Sequence, residues 1–582
     1  MLNKIQPTIK HLVFSIFILI ASNTNSYAGD AGISQTPLFL GSSVQPNVFF
    51  LLDDSGSMDW ELLTRQHWTY AAYDPDLTHN GDYQSFDFSG VFIDNGQFYS
   101  WGKNDYQRFG YMFSNSNAYG NNCSGTWLNT MESCSSSTRL PANYDWRFRT
   151  SGLSVTFYNP SVNYTPWNGP CGTSGEPCAD ANYFAAVNNP KSCGTCSSQT
   201  RDLASDGDTM NGPFKYDVWI DDSGFVTADG RPHRGDNFNE TGVAAGAAAA
   251  PNNLVDLWDT HITVSIGATD AVVTRVTYDP HTSADPSPGL NETAQVLGTL
   301  SGSACYDMLG SAANVAAIHA QGATPNINAA GGPGCKTIAE AQTNIANWYS
   351  YSRRRMYTAK NAITRVIDAQ PSFRYGITKF KGQGGLFIEV PLASVTNVNP
   401  HNLDLKDQVY ADKQEGIGTF LSGGMDAVGD YFSNTLGGKD NPIKYSCQKN
   451  FQIIFTDGYW NDSNNYSDYD GDGISSTAAD IAYRFFKNDL NTSIADNVIP
   501  DKGSEADLDP DGDGLTWQHL VSFTVAFGVQ GVMSDTDDDG WPNADASGTA
   551  WPGDGTPLKS GNWGNPIGSG EIPAKIDDLW HI

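Results

Sequence analysis

Asp53, Ser55 and Ser57 stand in alternation in the stretch NVFFLLDDSGSMDW (47–60), giving the pattern D-x-S-x-S. That spacing lets one carboxylate and two hydroxyls converge from a single tight loop on a hard cation. Because the hydroxyls are neutral, the cation keeps residual positive charge and has room for a carboxylate from a partner. Two further oxygen donors stand where such a site needs them, Thr419 in GIGTFLSGG and Asp457 in IIFTDG. A near copy of the motif, IDDSGF (220–225), has Phe225 in place of the second serine and reads as a turn.

Three more stretches repeat D-x-D-x-D-G: Asp468, Asp470 and Asp472; Asp509, Asp511 and Asp513; Asp535, Asp537 and Asp539. Alternate carboxylates followed by a glycine can wrap a Ca2+ ion, so these are candidate calcium loops. The twelfth position, where an EF-hand loop carries a bidentate Glu, holds Ala479, Leu520 and Ala546. Any calcium would therefore borrow ligands from elsewhere. No H-E-x-x-H motif and no G-x-S-x-G elbow occurs, and the 10 histidines are scattered without zinc spacing. The chemistry is that of ion-mediated binding, and the chain reads as a non-enzyme.

These donors need elements to position them. Val48–Leu52 is an apolar run that reads as a buried strand ending at Asp53. Strands are predicted at 373–380, 385–392, 450–458 and 520–528, the last two as buried strands. One helix is predicted over 341–370, with others at 419–432 and 477–490 and the start of one at 572–582. The 477–490 helix opens on a Thr477/Asp480 capping box. Alternating helices and two-sided apolar strands predict an α/β fold, a doubly wound and mostly parallel sheet. In such sheets ligands bind beyond the carboxyl ends of the strands, where Asp53 and Asp457 fall.

Between the first strand and the rest, residues 61–344 are rich in Gly, Asn, Ser, Pro and Tyr and hold eight of the nine cysteines. They read as a disulfide-containing, β- and loop-rich insertion with a fold of its own. The sheet domain is thus expected from 45–60 and 345–535. An acidic Gly/Pro-rich segment and a terminal helix follow over 536–582.

Lys4 and Lys10, the apolar run Leu12–Ala21 and Ser26-Tyr27-Ala28 form a secretory signal peptide over 1–28. The mature chain is then exported, with no stable membrane span. A net charge of −31 argues against nucleic acid as a partner.

The D-x-S-x-S motif, the threonine before a helix and the Thr-Asp-Gly after a later strand resemble the metal-ion-dependent adhesion site of von Willebrand factor A domains. More widely, the chain resembles the type IV pilus tip-associated adhesins of the PilY family. The carrying stretches are PNVFFLLDDSGSM, SRRRMYTAKNAI, GTFLSGGMDAVGDYF, IIFTDGYWND, DIAYRFFKNDL, TWQHLVSFTVAFGVQG and IPAKIDDLWH. The resemblance implies Mg2+ or Mn2+ at Asp53, Ser55, Ser57, Thr419 and Asp457. It implies a protein of the periplasm or outer cell surface, at the pilus tip. Its partners would be minor pilins or the tip complex, and a protein or surface ligand presenting a carboxylate. The alternative is a pilus-assembly scaffold in which bound Mg2+ or Ca2+ only stabilises the fold. Family members continue into a C-terminal β-propeller; the resemblance implies that this chain stops short of it, and the propeller's functions are not carried over.

Overall fold

A computed structural model describes residues 44–59, 154–169, 178–188, 200–207, 212–220, 260–278, 292–310, 333–380, 386–392, 397–412, 418–462, 465–498, 515–527, 562–567 and 574–582, with isolated positions between them. The expected signal peptide over 1–28 and Asp509, Asp511, Asp513, Asp535, Asp537 and Asp539 lie outside the described residues.

The fold is mixed α/β around a mostly parallel five-stranded sheet. Its order is β11 (Leu520–Ala526), β10 (Asn450–Thr456), β1 (Asn47–Leu52), β8 (Arg374–Lys379) and β9 (Phe387–Ile388). β1, β8, β10 and β11 run parallel, and only β9 is antiparallel. Every residue of β1 is buried because the strand is central and covered on both faces. Phe49 and Leu51 enter one core with the helices α4 (Leu421–Phe432), α5 (Ala478–Lys487) and α6 (Ala574–His581). Val48, Phe50 and Leu52 enter the other, with α2 (Arg355–Ala369) and α3 (Asn399–Ala411).

Among the described residues of the long intervening segment, β4 (Phe214–Ile220), β5 (Thr260–Ile266), β6 (Asp270–Tyr278) and β7 (Glu292–Ser301) form an antiparallel sheet in that order. The short strands β2 (Ala186–Val187) and β3 (Thr200–Arg201) pair beside it. Its core is aromatic, with Phe157, Tyr158, Phe214 and Tyr216 packed against Trp348 of α1 (Ile338–Tyr351). A disulfide joins Cys305 to Cys335, and Cys447 carries a free thiol.

Two expectations change. The helix expected over 341–370 is two helices, α1 and α2, separated at 352–354. The break turns three consecutive arginines inward, each to an acidic partner described below. β11 is an edge strand, not a buried one: Phe523 and Val525 are exposed. α3 was not foreseen, because polar residues surround its few buried positions, Leu405, Val409 and Tyr410. The capping box at Thr477 and Asp480 is present in both directions.

Candidate metal centre

The centre of the sheet brings two carboxylates to one edge. β1 and β10 are hydrogen-bonded neighbours in register, with Leu52 beside Phe455. Each strand therefore delivers the residue after it, Asp53 or Asp457, to the same carboxyl-terminal edge. The Asp53 backbone N–H still donates to the Phe455 carbonyl at 2.9 Å, so the sheet fixes where its side chain begins. The chain must then leave β10 sharply. Gly458 does so at φ 138°, a conformation that L side chains rarely adopt.

Four of the five expected donors form one connected set. Asp53 Oδ1 accepts from the Ser55 N–H at 2.8 Å, and Asp53 Oδ2 accepts from Thr456 Oγ1 at 2.8 Å. Ser55 Oγ and Ser57 Oγ lie 2.9 Å apart, and Ser57 Oγ donates to Asp457 Oδ1 at 2.8 Å. Thr419 is not part of this set and is tied by its backbone to Asn461 instead. Its N–H donates to Asn461 Oδ1 at 2.9 Å, and its carbonyl accepts from the Asn461 N–H at 2.8 Å. The loop after β10 is thus strapped to the loop before α4, and Asp462 Oδ2 accepts from the Gly423 N–H in the first turn of α4 at 2.9 Å. Gly424 lets that helix approach, since a Cβ there would meet Leu51 Cδ1 at 3.0 Å and Phe380 Cα at 3.1 Å.

The set carries unfavourable negative charge. Asp53 is fully buried; burial first, then the charge of Asp457, pushes its carboxyl up to about 7 against the hydrogen bonds from Ser55 and Thr456. A hard cation would relieve both causes. Two carboxylates and two hydroxyls linked along one chain of hydrogen bonds are residues that could hold Mg2+ or Mn2+.

Arginines missed by the sequence reading surround this loop. Arg355, at the first position of α2, donates to Asp457 Oδ2 at 2.5 Å. Arg354 donates to Asp59, and Arg353 donates through Nε to Glu61 Oε1 at 2.8 Å. All six of these side chains are buried. Lys379, closing β8, lies 3.5 Å from Asp54 and 3.2 Å from Asp412. Three adjacent arginines inside an apolar helical pattern were the available signal, since buried guanidinium groups require acidic partners.

The first acidic loop is also described. Asp468 is exposed, Asp470 is buried and Asp472 is half-buried. Burial, with the charges of Asp472, Asp480 and Asp578, pushes Asp470 up to about 8. Burial, with Asp480 and Asp472, pushes Asp578 up to about 7.

The chain is 25% identical over 279 residues to the type IV pilus biogenesis factor PilY1 of Pseudomonas aeruginosa strain UCBPP-PA14, covering 41% of this chain and 23% of that protein. It is 24% identical over 283 residues to the PilY1 of strain PAK, covering 42% of this chain and 24% of that protein. The matched region is thus about a quarter of the length of these curated relatives. No family model matches the chain, and no solved structure matches it. The similarity supports a PilY-family assignment for this chain.

Proposed function

We propose that the chain is an exported adhesion module of a type IV pilus machinery. It binds a partner carboxylate through Mg2+ or Mn2+ at a site of the von Willebrand factor A type. The similarity to type IV pilus biogenesis factors supports the setting. The observation that carries the mechanism is the hydrogen-bonded set from Asp53 through Ser55 and Ser57 to Asp457 at the strand ends.

When bound, the ion supplies a Lewis-acidic position for the partner's carboxylate. The chain's own residues do the rest. Asp53, rooted in the central strand, would hold the ion. Ser55 and Ser57 add neutral oxygens, so the incoming acid meets little repulsion. Arg355 holds Asp457 by one oxygen, leaving the other on Ser57. Thr419, strapped to Asn461, is set to move with the loop that carries Asp457. The module acts by binding and not by catalysis, with minor pilins, the tip complex or an external surface as partner.

The scaffold reading has one observation in its favour. Asp53 is buried beside Asp457, so an ion there would relieve repulsion and stabilise the fold with no partner bound. Calorimetric titration of the full chain with Mn2+ separates the readings, using Asp53→Ala and a magnesium-dependent binding assay on a carboxylate-bearing surface. The adhesion reading expects Asp53→Ala to lose both the ion and the surface while the unfolding midpoint stays near that of the parent. Surface binding that survives the loss of the ion would overturn it.

A further inference from the structure

The loop at 468–473 offers a second place for an ion, separate from the residues used above. Its first two aspartates hold the loop closed: Asp468 accepts from the Gly471 N–H at 2.7 Å and the Gly473 N–H at 3.0 Å, and Asp470 Oδ1 accepts from the Asp472 N–H at 3.2 Å. Asp470 Oδ2 is different. The residue is 4% exposed, and this oxygen has no hydrogen-bond partner. A buried carboxylate oxygen left without a donor is costly unless a cation satisfies it.

The surroundings supply what the loop lacks. Ligand atoms of Asp468, Asp470 and Asp480 lie within 4.8 Å of one another, and so do those of Asp470, Asp472 and His581. Asp470 belongs to both groups. Asp480 is the third residue of α5, and His581 is the last of α6. His581 Nδ1 stands 3.8 Å from Asp470 Oδ2, too far for a hydrogen bond. Its ring is fixed by stacking on Trp563, with centroids 4.4 Å apart. α6 is itself held in place, since Asp578 caps α5 by accepting from the Ala478 N–H at 2.8 Å and the Ala479 N–H at 3.2 Å.

We infer that Asp468, Asp470 and Asp472, closed by Asp480 and His581, form a calcium site that staples the loop and α5 to the terminal helix α6. Four carboxylates favour a hard ion of large, adaptable coordination, while the single imidazole is the donor that Zn2+ would prefer, so the test below includes Zn2+. The ligand missing from the twelfth loop position, Ala479, is replaced by its neighbour Asp480 and by a residue about a hundred positions further on. The same helix reaches the first site's loop, because Lys575 Nζ donates to the Trp460 carbonyl at 2.6 Å.

The test uses the full chain, stripped with chelator and held in saturating magnesium so that the Asp53 site does not report. Calcium is titrated by calorimetry, and the unfolding midpoint is followed with and without it, for the parent, Asp470→Asn and Asp53→Ala. Asp470→Asn keeps the shape and adds no charge to a repulsive cluster, so it folds without calcium. The expectation is an Asp470-dependent calcium site and a calcium-raised midpoint in the parent and Asp53→Ala. In Asp470→Asn the affinity falls by at least the roughly tenfold that loss of even an outer-shell partner costs a metal site, and the rise in midpoint disappears. Equal calcium binding and equal midpoint shifts in parent and Asp470→Asn would overturn the inference. So would a parent indifferent to calcium, or an Asp470-dependent response to Zn2+ alone.

Discussion

At the scale of single residues, charge decides. Asp53 has a folded-state pKa of about 7, above the ordinary 3.8, because it is buried beside Asp457. A carboxyl raised on folding gives stability that is complete below its unfolded pKa and is lost as pH rises through the folded value. Metal-free protein should therefore lose stability between about pH 4 and 7, and Asp53→Asn should flatten that slope in denaturant titrations. Ion binding needs the ionised form, so Mn2+ affinity should climb over the same interval. Arg354 illustrates the opposite case, a charge that cannot be removed. Its partner Asp59 is fully buried, and removing one member of a buried ion pair typically costs about 3–5 kcal/mol. Chemical denaturation of Arg354→Ala should show a loss of that size; a change within experimental error would mean that the pair is not formed.

At the scale of elements, the parallel strands set the site and close packing keeps it there. Gly376 in β8 sits where a Cβ would meet the Phe49 ring at 2.5 Å and the Ile388 carbonyl at 2.9 Å. The second contact is backbone, so Gly376→Ala must displace β9 or β8. Overpacking of this kind costs about 1–3 kcal/mol, to be read as a lowered denaturation midpoint. Much at this scale was legible in the sequence. Val48–Leu52 of β1 and Ile453–Phe455 of β10 are apolar runs that lead to the acids, and Thr477 and Asp480 announce α5 by local chemistry alone. The break between α1 and α2 was not legible, because its cause is tertiary: Arg353, Arg354 and Arg355 turn in to meet Glu61, Asp59 and Asp457. Asp59 lies 295 positions from its arginine, and no local periodicity reports such a pairing. Periodicity likewise could not say that β11 would lie at the edge, since strand order is fixed only when the sheet assembles.

At the scale of the whole molecule, the antiparallel sheet β4–β7 and the parallel sheet have separate hydrophobic cores. The Cys305–Cys335 bridge closes a 30-residue separation from the end of β7 to the approach to α1. Removing it by paired Cys→Ser substitution should destabilise the antiparallel unit by about 3.6 kcal/mol, on the chain-entropy account. Mn2+ affinity should stay unchanged, because none of the Asp53 donors belongs to that core. Among the described residues no helix is long and apolar enough to cross a membrane. The central claim is that one ion at the strand ends joins this protein to a carboxylate on its partner. Its most direct measurement is magnesium-dependent attachment of the full chain to a carboxylate-bearing surface, for the parent, Asp53→Ala and Asp470→Asn side by side. The account predicts that the parent and Asp470→Asn attach, that chelator releases both, and that Asp53→Ala does not attach. Attachment of folded Asp53→Ala at the parent's level would contradict it.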